Sequence, residues 1–258
     1  MKQTRIWIAG AALGVFSTLA ALPSAPAQAA PARKPASKSH AAKKPAAKKP
    51  AAKKMGAKGS NAGMMPLMLS LPHPAFIGTP KNIPPGTTVE KPSGRPRPPM
   101  MVPKGTQLLS KGKPVTSSDS APVIGDLSLI TDGNKEAGDG NYVELGPYKQ
   151  WVQIDLGRSA AISAIALWHY HSEAAVYKDV VVQISDDKDF VEGVKTVYNT
   201  DQKSTIGLGR GKDPQYYETA EGRLINARGI KGRYVRLYSN GSTGGDENRY
   251  TEVEVYGK

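Results

Sequence analysis

An eight-residue run near the middle of the chain, Gln150-Trp151-Val152-Gln153-Ile154-Asp155-Leu156-Gly157, alternates in a period of two. Val152, Ile154 and Leu156 share one face, and Trp151, Gln153 and Asp155 share the other. A β-strand with one face on a core needs that period, and Gly157 is expected to end it. Val180-Val181-Val182-Gln183-Ile184-Ser185 is β-branched and reads as another strand. Shorter candidates are Lys113 to Ser118, Tyr142 to Leu145, Ala161 to Tyr170, Lys195 to Tyr198, Arg223 to Asn226, Arg233 to Tyr238 and Tyr250 to Tyr256. No long stretch shows a helical period. Many short strands joined by Gly-rich turns specify an all-β sandwich, with a β-barrel as the alternative.

The strands occupy only part of the chain. Residues 1–29 read as a cleaved secretory signal peptide. Lys2 and Arg5 form the positive start, Ile6 to Leu22 the apolar run, and Ala27-Gln28-Ala29 the small-residue cleavage site. The mature chain is expected to begin at Ala30, with no transmembrane segment after cleavage and a periplasmic or extracellular destination. Residues 30–58 repeat Ala-Ala-Lys-Lys-Pro, with Lys pairs at Lys43-Lys44, Lys48-Lys49 and Lys53-Lys54. Proline and like charge oppose helix there, so a disordered, extended N-terminal arm is expected. Residues 59–105 are rich in Pro and Met, a composition that forbids regular helix or central strand. Ala75 to Pro103 is expected to lie partly ordered on the domain surface, and Gly59 to Pro74 to be loose. The folded domain is expected over residues 106–258.

Composition narrows the chemistry. The chain has no cysteine, so disulfides, thiolate metal sites and thiol nucleophiles are excluded. An exported domain without them must rest on its hydrophobic core, for which about 150 residues suffice. The formal charge of +13 hides an asymmetry. From Pro114 onward 16 Lys and Arg face 21 Asp and Glu, a net charge of −5, whereas Glu90 is the one acid between Pro31 and Lys104. A basic arm thus precedes a mildly acidic domain. The arm fits a solvated spacer or an electrostatic tether to an envelope polyanion. It has no interleaved aromatics for base stacking, so specific nucleic-acid binding is not expected. Neither a Gly-x-Ser-x-Gly elbow nor a phosphate loop occurs, and Gly207-Leu208-Gly209-Arg210-Gly211 reads as a loop.

An Asp-Gly turn (Thr131-Asp132-Gly133-Asn134) precedes Trp151-Val152-Gln153-Ile154-Asp155-Leu156-Gly157. Arg233-Tyr234-Val235-Arg236-Leu237 follows, and then Glu252-Val253-Glu254-Val255-Tyr256-Gly257. In this order the four pieces resemble the discoidin-like, galactose-binding-domain superfamily, which includes the type C domains of coagulation factors and bacterial carbohydrate-binding modules. The resemblance covers roughly Lys104 to Lys258. It implies a jelly-roll β-sandwich, a non-catalytic binding role and a carbohydrate or envelope-polymer partner. It also implies a structural Ca²⁺ at Asp132, Asn134 and Glu252. Where the family has Thr or Ser after the turn, this chain has Glu136-Ala137-Gly138-Asp139, and Glu136 or Asp139 stands in as the ligand. Hard Ca²⁺ takes several oxygens from carboxylates, amides and carbonyls. His169 and His171 flank Tyr170 and share one side of a strand. They read as ordinary hydrogen-bonding residues, as sugar contacts, or as a Zn²⁺ pair if a third ligand joined them. The polar loop Tyr238 to Arg249 adds Asn240, Asn248 and Arg249 as sugar-binding candidates. Trp151 and Trp168 are expected in the core. The rival to a carbohydrate module is a structural or protein-interaction module of the cell envelope.

Overall fold

The computed structural model describes residues 63–75, 88–91 and 93–258. The expected signal peptide and Lys-rich arm lie outside the described residues, as does 76–87. Ten strands and one short 3₁₀ turn make up the secondary structure of the described residues. No helix among the described residues is long and apolar enough to cross a membrane.

Two long strands organise the domain. β6 (Lys149–His169) and β9 (Arg223–Asn240) pair antiparallel from Lys149↔Asn240 to Leu167↔Arg223. Register shifts between Asp155 and Ala160 and between Ile162 and Ala164 divide each strand into halves. The first half of β6 pairs with β4 (Val115–Ser117), and its second half pairs with β10 (Glu247–Gly257). The second half of β9 pairs with β7 (Val181–Ser185), which pairs with β8 (Lys195–Asn199). β10 also carries β3 (Gln107–Leu108) and β5 (Val143–Pro147). The sheet thus folds over at its middle into an antiparallel sandwich, as the sequence pattern and the resemblance imply.

The sequence reading divided β6 at Gly157 and β9 between Asn226 and Arg233; both strands run on. Gly157 has φ +81°, and Arg228 and Gly229 have φ +55° and +75°. These left-handed residues bend the strands without ending them. Asp155 fixes the bend from its side chain. It accepts the Gly157 N–H (2.7 Å) and two bonds from Arg233 (2.7 and 2.8 Å).

Val152, Ile154 and Leu156 join Ile165, Leu167, Val182, Ile184, Val235, Leu237, Val253 and Val255 in one buried core. Trp168 is fully buried and donates its indole N–H to the Ala220 carbonyl (3.0 Å). Trp151 lies on the opposite face and is half-buried, packing, like Leu208, against the small cluster of Val181, Ile206 and Tyr238. Arg236 sits between the rings of Trp151 and Phe190, at 4.3 and 4.2 Å. Leu127–Thr131 forms a 3₁₀ turn that leads into Asp132.

The Pro-rich region is more ordered than its composition implies. β1 (Met64–Pro66) and β2 (Met101–Pro103) form a separate two-stranded ribbon. This corrects the expectation of looseness at Met64–Pro66 within Gly59 to Pro74, of which 59–62 lie outside the described residues. Prolines sit at the ends of both strands, where a missing N–H is tolerated. Val89 bridges Gln215, Glu90 pairs with Arg223 (2.6 Å), and Arg97 donates to the carbonyls of Glu221 and Gly222.

Candidate functional site

The residues singled out from sequence gather at one end of the sandwich, where β6 ends and β10 begins, but most of them face inward. Ile165 and Leu167 lie in the core, and the two-residue period carries their face on to His169 and His171. Both histidines are fully buried. His169 stacks on Tyr177 at 3.9 Å, and its Nδ1 lies 3.2 Å from Glu218, itself fully buried. The carboxylate also accepts the His169 backbone N–H. His171 donates Nε2–H to the Lys135 carbonyl (2.8 Å), and Ser172 Oγ donates to the Ala137 carbonyl. These two residues therefore hold down the loop after Asp132. With no exposed area neither histidine can contact a sugar, which corrects that reading; both fit the reading as ordinary hydrogen-bonding residues. For a Zn²⁺ pair, His169 Nε2 and His171 Nδ1 lack hydrogen-bond partners, but among the described residues no third His, Cys, Asp or Glu joins them as a metal-holding group.

Asn248 is corrected for the same reason. It is fully buried and serves as a turn clamp. Its Oδ1 accepts from Ser239 Oγ (2.7 Å) and the Gly241 N–H (2.8 Å), and its Nδ2 donates to the carbonyls of Gly146 and Tyr148. Asn240 is half-buried and donates to Asp179 (2.8 Å). The loop is also shorter than it reads, because β9 runs to Asn240 and β10 starts at Glu247.

Arg249 is different. Its side chain is 31% exposed and its Nε donates to Glu144 Oε2 (2.6 Å). Its guanidinium lies 6.0 Å from the ring of Tyr142 and 5.7 Å from that of Tyr170. The two rings are 4.5 Å apart and tilted by 46°. Beside them is a shallow depression of about 10 Å³, room for about one water, lined by Tyr170, Glu173, Tyr177, Ser242, Glu247 and Arg249. Aromatic rings, a fixed donor and carboxylates thus share one rim, which suits a polyhydroxy ligand. Sequence reasoning missed Tyr142, Tyr170, Glu173 and Glu247. The signal for Tyr170 was present: if the flanking histidines continue the core face, the tyrosine between them must turn outward.

The second cluster lies at the Asp-Gly turn. Asp132 is exposed and its Oδ1 accepts the Asn134 N–H (2.7 Å); Asn134 Oδ1 accepts the Glu136 N–H (3.1 Å). Gly133 takes φ +87° and donates its N–H to Glu252 Oε2 (3.1 Å). Glu252 is fully buried, and its Oε1 has no hydrogen-bond partner. Burial, with Glu254 and Asp132 nearby, pushes its carboxyl up to about 9, against the opposing pull of the Gly133 N–H and Lys135. A desolvated carboxyl oxygen without a hydrogen-bond partner is the kind of oxygen a hard cation takes. Among the described residues, no group of three or more His, Cys, Asp or Glu side chains could hold a metal. A cation at Glu252 would therefore draw on backbone carbonyls and the Asn134 amide oxygen.

The described residues from Gln107 onward form a folded-over antiparallel sandwich with tyrosines beside a small depression. Residues 129–237 match an F5/F8 type C family model described as NedA-like, galactose-binding domain. The resemblance to the discoidin-like, galactose-binding superfamily therefore holds over the core of the sandwich. Among solved structures, the chain is similar to chitosan-binding module 1 from a chitosanase/glucanase of Paenibacillus sp. IK-5. The two are 22% identical over 58% of this chain and 99% of that one, with a TM-score of 0.40. The family 32 carbohydrate-binding module of C. perfringens NanJ, in complex with galactose, is 12% identical over 58% and 98%, with a TM-score of 0.44. A family 89 glycoside hydrolase from Clostridium perfringens is 19% identical over 58% of this chain, with a TM-score of 0.43, but the match spans 14% of the hydrolase. No curated protein matches the sequence.

Proposed function

We propose that the sandwich is an exported, non-catalytic module that recognises a carbohydrate at the Tyr142, Tyr170 and Arg249 rim. The observation that carries this reading is the guanidinium held over two tilted rings beside the Glu173 and Glu247 carboxylates. A sugar ring stacks on an aromatic face, Arg249 donates to a hydroxyl oxygen, and the carboxylates accept hydroxyl protons. Each such bond contributes about 1 kcal/mol net. A shallow site of this kind binds with a Kd of about 10⁻³ to 10⁻⁵ M. The family description, a galactose-binding domain, supports the same reading. A structural Ca²⁺ at Glu252, Asn134 and the loop carbonyls is part of the proposal; it would rigidify the Asp132 loop, which His171 and Ser172 tie to the end of β6. The test is binding of neutral and acidic glycans to the full chain without residues 1–29, at low and high salt. Binding that survives salt and is lost in Tyr170→Ala supports the module. Binding that disappears in salt and ignores Tyr170→Ala leaves an electrostatic tether on a structural sandwich, the rival reading.

A further inference from the structure

A groove of about 720 Å³ opens between the Pro-rich wall at Glu90, Lys91 and Ser93–Pro98 and the residues around Gly222 that lead into β9. Small-molecule sites occupy about 300–1,000 Å³. The groove shares no lining residue with the depression at Tyr170. Two polar atoms of its lining residues are buried without a hydrogen-bond partner, Tyr216 Oη and Arg223 Nε. Tyr216 is only 8% exposed, and a native fold seldom leaves such groups unmatched. Lys91, Arg95, Arg97 and Arg223 line the groove against two acids, Glu90 and Glu221. Glu90 meets Arg223 at 2.6 Å, and Glu221 stands 4.0 Å from Arg97. Among the described residues Lys91 and Arg95 have no ion-pair partner, and both are exposed. Burial holds the Arg97 guanidinium below its ordinary pKa; Glu221 opposes this, and Arg223 adds to it. The groove is therefore short of negative charge.

We propose that this groove is a second binding site, for a short acidic saccharide whose carboxylates meet Lys91, Arg95 and Arg97. A guanidinium fork matches a carboxylate in shape and charge. The chain's own Glu90 carboxylate on Arg223 is an instance of that contact in this groove. Pro96 and Pro98 are exposed beside the two arginines and offer rigid apolar faces to the CH faces of a sugar ring. An extended acidic peptide fits less well, because peptides commonly dock through a backbone ladder. Pro96 and Pro98 have no N–H to give, and the Arg95 N–H is spent on Ser93 Oγ (3.1 Å). The Pro-rich wall lies outside the residues 129–237 that match the family model. The site does not depend on the Tyr142, Tyr170 and Arg249 rim.

The test titrates the chain without residues 1–29 with tri-galacturonate, with neutral galactotriose and with a tri-glutamate peptide. The comparison is a Lys91→Gln, Arg95→Gln variant, altered at exposed positions and keeping every lysine of the N-terminal repeats. The proposal expects the variant to bind tri-galacturonate about tenfold more weakly, at an unchanged melting temperature. Tyr170→Ala should bind it as wild type does. In amide NMR spectra, the signals of Gly94, Ala220 and Gly222 should move with added tri-galacturonate. Equal affinity of wild type and the double variant overturns the proposal and assigns the binding to the Lys-rich repeats. Loss of binding in Tyr170→Ala, or signals that move at Gly244 and Gly245 while Gly94 and Gly222 stay, overturns it in favour of the rim. Galactotriose bound as tightly as tri-galacturonate removes the role of the carboxylates. Tri-glutamate bound as tightly, with the same loss in the variant, makes the groove a peptide site instead.

Discussion

Burial strips water from Glu252 and leaves one of its oxygens without a donor. Its carboxyl, near 4.5 in an unfolded chain, is held up to about 9 in the fold. The folded state therefore binds this proton more tightly. The resulting stability is complete below about 4.5 and is lost as pH rises through about 9. Without a cation, the melting temperature should fall between those limits, and Glu252→Gln should remove the slope. Bound Ca²⁺ would replace the proton, so wild type in Ca²⁺ should show a flatter profile and a higher melting temperature at pH 8 than in chelator. Equal profiles for wild type and Glu252→Gln in both conditions would remove the cation from the proposal. The neighbouring residues call for different substitutions. His169→Ala would open a cavity against Tyr177 and leave the buried Glu218 carboxyl without its imidazole partner, at a cost of about 3–5 kcal/mol. Arg249→Ala would leave the nearly buried Glu144 unpaired. Tyr170→Ala is the better probe of a ligand, because the ring is half-exposed and its removal strands no charge.

The elements depend on where the long strands may approach. A Cβ at Gly232 in β9 would lie 2.3 Å from Ile184 Cγ2 and 3.1 Å from the Ser185 carbonyl oxygen. Gly232→Ala should therefore cost about 1–3 kcal/mol by overpacking. Gly157→Ala meets nothing nearer than Lys113 Nζ at 3.7 Å, so only its φ of +81° is penalised, at about 1–2 kcal/mol. Denaturant melts read both, and a neutral Gly232→Ala would mean that β7 and β9 are not so tightly apposed. The same geometry explains what the sequence could disclose. Alternation at Val152, Ile154 and Leu156 is local and reveals a strand and its inner face directly. The continuity of β6 through Gly157 is not local, since it depends on Gly232 and Arg233 pairing across the bend. The candidate site was half legible. Asp132, Asn134 and Glu252 stand close because the turn and last strand are read in order. His169, His171 and Asn248 carry polar side chains that look like ligands. Their hydrogen-bond partners, Glu218, Lys135 and Gly146, lie far along the chain and cannot be seen from local spacing.

Residues 88–97, before the sandwich, contribute to its stability. Glu90 meets Arg223, whose guanidinium lies 5.1 Å from the rings of both Tyr198 and Tyr216. Arg97 satisfies the carbonyls of Glu221 and Gly222, where the chain enters β9. Gly222 itself is tight, since a Cβ there would come within 2.6 Å of the Trp168 indole. A chain starting at Thr106 keeps the core strands β3 to β10 and should fold. It would nevertheless lose both arginine contacts and expose the Tyr216 side of the sandwich. Hydrogen bonds to charged groups contribute about 1.5–3 kcal/mol each when part-buried. The exposed Glu90 partner discounts one of them toward the 0–1 kcal/mol of a surface pair. The truncated chain should therefore be less stable than the chain from Ala30 by about 2–3 kcal/mol. Restoring residues 88–105 alone should recover most of that, without the Lys-rich sequence. Equal stability of the two chains would show that the Pro-rich segment rests on the sandwich without holding it. A deficit repaired only by residues 30–62 would place the stabilising contacts there and not at Glu90 and Arg97.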